Sequence, residues 1–195
     1  MAQPGEGTPS FFLIVEARVN SGELEVESVA VLKIRREGDP ILRQKAKPVE
    51  RITRRVLKLL KDMEETMYAA DGVGLAAPQV GISQRIFVVD VGDGPMHFIN
   101  PVLLAAEGTD VDKEGCLSIP GTFGYVERAA RVRLSALDAK GKSVRIDAEG
   151  FLARVLQHEL DHLDGILFTD KATGIFKVTD SPAAPGEKTE AGAPS

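Results

Sequence analysis

The chain has 195 residues, enough for one well-packed domain and some extra length, and 43% of them are hydrophobic. Its net charge is -5, from 24 basic and 29 acidic side chains, which argues against a nucleic-acid backbone binder. A single cysteine, Cys116, rules out an intrachain disulfide and fits a reducing compartment.

Residues 1–29 read as an added, partly flexible arm: MAQPGEGTPS is rich in turn formers, and FFLIVEARV has strand character without an evident partner. FFLIV is too short for a secretory core and lacks a basic flank, and several early glutamates argue against an organellar transit peptide. No apolar run is long enough to span a membrane as a helix. A compact domain is expected over 30–177, and the Pro-, Gly- and Ala-rich tail over 178–195 is expected to be disordered.

Ile52, Val56, Leu59, Leu60, Met63 and Met67 recur at three-and-four spacing, predicting an amphipathic helix of about five turns that stops near Gly72. Arg51, Arg54, Arg55, Lys58 and Lys61 read as its wet face. GVGLAAPQVG, 72–81, follows. Gly72 and Gly74 allow close backbone approach and Gln79 offers an amide donor, but no phosphate-loop pattern is present. RIFVVDV (85–91) is a strand candidate, and so is MHFINPVLLA (96–105), the latter expected to break at Pro101. YVERAARVRLSALD (125–138) has period-two stretches, and Lys140-Gly141 leads into KSVRIDA (142–148) as a hairpin. FLARVLQHELDHL returns to helical periodicity, with Gly165 as its cap. No parallel βαβ repetition appears. The expected fold is α+β: antiparallel sheets around a C-terminal HExxH helix, with a long helix on the N-terminal side.

His158 and His162 lie four apart on that helix, so both imidazoles can reach one ion, and Val155 and Phe151 extend the same face backwards. Glu159 falls beside the ion. His97 sits in strand-like MHFIN, where a hydrogen-bonded role is the commoner one, so Cys116 in EGCLSIPG is the better third ligand. Three protein ligands and one open position make a catalytic set, with Glu159 as general base toward an amide-like bond. The usual HExxH peptidases take a third histidine or glutamate downstream. Here nothing beyond residue 162 supplies one except Glu187 and Glu190 in the tail. A non-enzymatic relative kept for binding is the other alternative, and retention of every reactive side chain speaks against it.

GVGLAAPQ (72–79), EGCLS (114–118) and HELDH (158–162), in that order, closely resemble the three motifs of bacterial-type peptide deformylases. The resemblance extends from AVLKIRREGDPILRQKAKPV to GILFTD and covers nearly all of the compact core. It implies a metal-dependent hydrolase that removes the formyl group from the N-terminal formyl-methionine of newly made polypeptides and releases formate. It implies metal ligation by Cys116, His158 and His162, catalysis by Glu159, and oxyanion donors at the Gln79 side chain and the Leu117 backbone N–H. Val73, Gly74 and Gly115 fall where the extended peptide is held, and Phe151 and Val155 in the methionine pocket. The implied cofactor is one Fe2+, with nickel, cobalt or zinc as substitutes. The implied partners are formyl-methionyl nascent peptides and, transiently, the ribosome, in the cytoplasm, with neither DNA nor membrane. Two features depart from the family pattern. Phe123 stands where certain members carry an arginine at the peptide-entry rim. The low-complexity tail replaces a basic C-terminal helix, so any ribosome contact must use another surface.

Overall fold

The computed structural model describes residues 15–20 and 23–178. The sequence readings for residues 1–14 and 179–195 lie outside the described residues. Val15–Asn20 (β1) and Glu23–Ser28 (β2) pair antiparallel, which gives part of FFLIVEARV the partner that could not be read from the sequence.

Helix α1 runs Arg54–Ala69. Thr53 caps it by accepting the Val56 N–H through its side chain at 3.4 Å. Gly74–Ala76 (β3), Ile86–Val89 (β4), Met96–Glu107 (β5), Arg131–Leu137 (β8) and Ser143–Glu149 (β9) form a five-stranded antiparallel sheet in the order β3-β4-β5-β8-β9. A smaller sheet has the order β10-β7-β6, from Thr173–Lys177, Ile119–Arg128 and Asp110–Cys116. Helix α2, Gly150–Leu163, carries the HExxH residues. The named strands all pair antiparallel, as expected for an α+β fold.

Pro101 does not end β5, contrary to the sequence expectation. The strand passes through it on a register shift between Ile99 and Val102, with Asn100 at φ 52°. A bulge tolerates a residue without an N–H. The Asn100 side chain also joins the kink to Val49 by two hydrogen bonds of 2.8 Å. The stretch 125–138 divides between β7 and β8, turning at Ala129 and Ala130. Its continuation is the expected β8–β9 hairpin. Asp138 Oδ1 accepts the N–H groups of Lys140 and Lys142 at 2.9 and 2.8 Å, and Gly141 takes φ 77°.

Strand β4 is buried on both sides, and its alternation divides the core. Phe87 and Val89 face the cluster with Leu156, Leu160 and Leu163 of α2; Ile86 and Val88 face the cluster with Val56, Leu60, Met63 and Met67 of α1. The two helices therefore cover opposite faces of one sheet. A third cluster, Leu42, Ile119, Val126, Leu167 and Phe168, backs the small sheet. Beyond α2, Gly165 adopts φ 75° and lies against the Arg43 backbone, where a Cβ would come within 2.7 Å of a carbonyl carbon. Glycine there both ends the helix and admits the neighbouring chain.

Candidate metal centre

Cys116 ends β6, and His158 and His162 project from α2. Their ligand atoms lie within 4.8 Å of one another. Cys116 Sγ is 3.2 Å from His162 Nε2, and the two imidazoles meet edge to face at 4.9 Å between centroids. Thiolate and imidazole suit a borderline or transition-metal cation, and three such donors leave a position open.

Contacts with Glu114 and Gln79 orient this trio. His158 is turned by Glu114, whose carboxylate meets its Nδ1 at 2.9 Å and leaves Nε2 for the site. Burial opposes charge on His158, yet the Cys116 sulfur and Glu114 outweigh it and push its pKa up to about 10. Burial, reinforced by repulsion from His158, holds His162 well below the ordinary imidazole value. Neutral imidazole is the form that ligates. His162 Nδ1 and Glu159 Oε2 are buried atoms without a hydrogen-bond partner among the described residues.

Glu159 is next to the first histidine and 3% exposed. Burial, against the pull of His158, lifts its carboxyl to about 7, near the optimum for proton exchange in neutral solution. Gly74 makes room for it, since a Cβ at Gly74 would come within 2.9 Å of the Glu159 carboxyl carbon. Gln79 is buried in a 3-10 turn after β3. Its Oε1 accepts the Ala76 N–H at 2.8 Å, which directs Nε2 toward Cys116 Sγ at 3.5 Å and Ser118 Oγ at 3.3 Å. Arg36 donates to the Leu117 carbonyl and so holds that peptide plane.

A cavity of about 600 Å³ opens over these groups. Val73, Gly74, Gln79, Gly115, Cys116, Leu117, Phe151, Val155, His158 and Glu159 all line it. Val155 is buried, whereas Phe151 is 58% exposed at the mouth. His97 stays away from the centre and binds Glu64 at 2.9 Å, the hydrogen-bonded role expected of it.

The reading from sequence missed the ion-pair network beneath the site. Glu114 is 5% exposed and binds Arg128 at 2.8 and 2.9 Å and Arg154 at 2.8 Å, in addition to His158. Arg128 continues to Asp161, and Arg154 to Asp110 at 2.7 Å. Burial opposes charge on Glu114, yet Arg128 and His158 outweigh it and hold its pKa below the ordinary carboxylate range. No local pattern marked Glu114, because the strand that carries it has a register shift between Gly115 and Cys116 and its partners lie far along the chain.

A cysteine sulfur and two helix imidazoles within reach of one ion, beside a buried carboxyl, are the donor set of a metal-dependent hydrolase. The family model for polypeptide deformylase matches residues 31–177. The peptide deformylase of Halothermothrix orenii is 58% identical over 147 residues, covering 74% of this chain and 96% of that protein. The peptide deformylase of Desulfitobacterium hafniense is 56% identical over 144 residues, covering 74% and 96%. Among solved structures, the crystal structure of peptide deformylase from Thermotoga maritima aligns with a TM-score of 0.72 at 49% identity, covering 73% of this chain and 98% of that one. The deformylase of Synechococcus elongatus in complex with actinonin aligns with a TM-score of 0.70 at 42% identity, covering 75% and 86%. The chain belongs to the polypeptide deformylase family. It is a metal-dependent enzyme that removes N-formyl groups, and its Cys/His/His cluster matches the metal site of that family, which typically holds Fe2+.

Proposed function

We propose that the substrate is the formyl-methionine at the start of newly made polypeptides and that the product released is formate. The observation that carries this is the convergence of three ligating groups, a buried carboxyl and a fixed amide donor at the floor of one open cavity. Cys116, His158 and His162 hold the ion, Fe2+ by family usage, and the same donors accept nickel, cobalt or zinc. When bound, the ion polarises the formyl carbonyl and lowers the pKa of water.

Glu159 takes a proton from the water that attacks the formyl carbon. It returns that proton to the methionine nitrogen as the C–N bond breaks, so one carboxyl serves as base and then as acid. Its pKa of about 7 suits both directions of transfer. Gln79 Nε2 and the Leu117 N–H donate to the carbonyl oxygen as it gains charge; the hydrogen bond from Ala76 spares Gln79 any reorientation. Val73, Gly74 and Gly115 hold the extended peptide backbone, and the small side chains let it approach closely. Phe151 and Val155 receive the methionine side chain. The enzyme acts in the cytoplasm, with at most a transient ribosome contact. No helix among the described residues is long and apolar enough to cross a membrane.

The test is deformylation of formyl-Met-Ala-Ser by anaerobically purified protein, with metal analysis of the same sample. The acetyl analogue is expected to be at least about a hundredfold poorer, because an added methyl misplaces the carbonyl in a tight site. Equal kcat/KM for the two would refute the assignment.

A further inference from the structure

Arg35, Arg36 and Glu37, consecutive in the chain, reach both halves of the site floor. The Arg35 N–H donates to the Gln79 carbonyl at 2.7 Å, and the Glu37 N–H donates to the Ser118 carbonyl at 3.0 Å. Between them the Arg36 guanidinium donates to the Leu117 carbonyl, 81 residues away in the chain. The two neighbouring arginines are used differently. Arg35 lies 3.6 Å from Asp39. Arg36 has no carboxylate within ion-pair distance among the described residues, and its charge is set against the Leu117 carbonyl instead.

That carbonyl belongs to the same peptide group as the Ser118 N–H, which donates to Cys116 Sγ at 3.4 Å. A cation on the oxygen of a peptide polarises it and makes its N–H a stronger donor. Ser118 is fully buried, so water does not weaken the effect at the sulfur end. The peptide is also held in place: Glu37 binds the Ser118 carbonyl, and Gln79 Nε2 lies 3.3 Å from Ser118 Oγ. The chain of contacts therefore runs from the guanidinium through one fixed peptide to the sulfur.

We propose that Arg36 is a positioning residue for the metal centre: through the Leu117–Ser118 peptide it strengthens the hydrogen bond to Cys116 Sγ and limits how much electron density the sulfur gives to a bound ion. This rests on the reading of Cys116 as a ligand. A sulfur that donates less leaves more Lewis acidity for the formyl carbonyl. Arg36 also lines the cavity, so direct contact with the peptide is the competing role, and that role would be read in KM.

The experiment compares the unmodified full chain with Arg36→Met and Arg36→Lys, each loaded with Co2+. Met removes the charge and the donors but keeps an unbranched side chain, whereas Lys keeps the charge. The sulfur-to-cobalt absorption band of the peptide-free protein should move to longer wavelength in Arg36→Met and return most of the way in Arg36→Lys. On formyl-Met-Ala-Ser, kcat should fall about three- to tenfold in Arg36→Met with KM unchanged, less than the loss of about 10–100-fold typical of a direct contact to a ligand. Lys33→Met removes an equal charge from an exposed position of the same segment, outside the cavity, and should change neither reading. Thermal melts establish that each variant is folded, and Arg36→Gln carries the same test if the Met variant is unstable. An unmoved band, a band that moves equally in Lys33→Met, or a rise in KM without a fall in kcat would overturn the proposal while leaving the deformylase intact. A Co2+-loaded unmodified protein without any sulfur-to-cobalt band would overturn the ligand assignment of Cys116 and the proposal with it.

Discussion

Helices α1 and α2 cover opposite faces of the same sheet, yet what they bury differs in kind. Besides Val56, Leu60, Met63 and Met67, α1 buries Asp62 and Thr66. Both serve the incoming chain: Asp62 accepts the Ala30 N–H at 3.0 Å, and Thr66 accepts that of Leu32 at 2.8 Å. Lys58 neutralises Asp62 from one helical turn away. Helix α2 buries Arg154, Glu159 and His162, and two of its buried polar atoms find no partner among the described residues. Buried polar groups are normally satisfied, because an unmet one costs about 1–3 kcal/mol. Polar burial on α1 therefore fastens the fold, while polar burial on α2 places His162 Nε2 beside Cys116 and leaves a Glu159 carboxylate oxygen free for a proton.

The sharpest way to break this contrast is within α2 itself. Glu159→Ala should lower kcat by about 10² to 10⁴ while metal content and melting temperature hold. Cys116→Ser should instead lose metal, since a hydroxyl is a poorer ligand for a soft site. Metal analysis and turnover on the same samples separate the two. A metal-free Glu159 variant would show that this carboxyl belongs with the ligands.

Glu114→Ala tests the network beneath. It leaves Arg128 and Arg154 facing each other without their shared carboxylate, and unpairing buried charge costs about 3–5 kcal/mol. Metal affinity should also fall about 10–100-fold, because His158 loses the partner that orients it. Denaturant melts and metal titration read the two effects separately. Unchanged affinity would make Glu114 a purely structural residue.

On the other face, Met63→Ala should cost about 2–5 kcal/mol of stability, as expected for a fully buried side chain. Turnover per folded molecule should stay near that of the unmodified protein. A large fall in kcat for the folded fraction would mean that α1 shares in the chemistry and would erase the contrast.

The smallest effect is expected away from both helices. Arg43 holds Asp170 through paired hydrogen bonds, one of them 3.1 Å long, and depresses its pKa. A depressed carboxyl stabilises the fold above its unfolded value of about 3.9, and that contribution is lost as pH falls through the folded value. Asp170→Asn should lower stability slightly at neutral pH, the effect being small because the pair is partly exposed, and the two proteins should converge as pH falls below about 4. A difference between the two proteins that is absent at neutral pH, or that does not shrink in acid, would remove this pair from the account.

The actinonin complex of the Synechococcus relative and the match over residues 31–177 place this chain in a well-populated family, but much was already legible in the residues. The three-and-four spacing of α1, the hairpin at Lys140-Gly141 and the HExxH face of α2 are local patterns, and local patterns survive without a partner in view. HExxH with a single cysteine and no later ligand was enough to point to an open Cys/His/His centre. What the tertiary structure decided are contacts between segments far apart in the chain. Pro101 read as a strand breaker because the bulge that absorbs it is anchored to Val49, 51 residues away. Strand β6 was invisible because its burial comes mainly from Glu114, whose partners Arg128 and Arg154 lie 14 and 40 residues on. Gly74 read as a residue that admits a close neighbour, but which neighbour was unknown until Glu159 was seen to occupy the space a side chain would take. Side-chain types and their local period determined which chemistry was on offer. Only the packing of β6 against α2 decided that the ligands meet, since the distance between them is set by every residue folded in between.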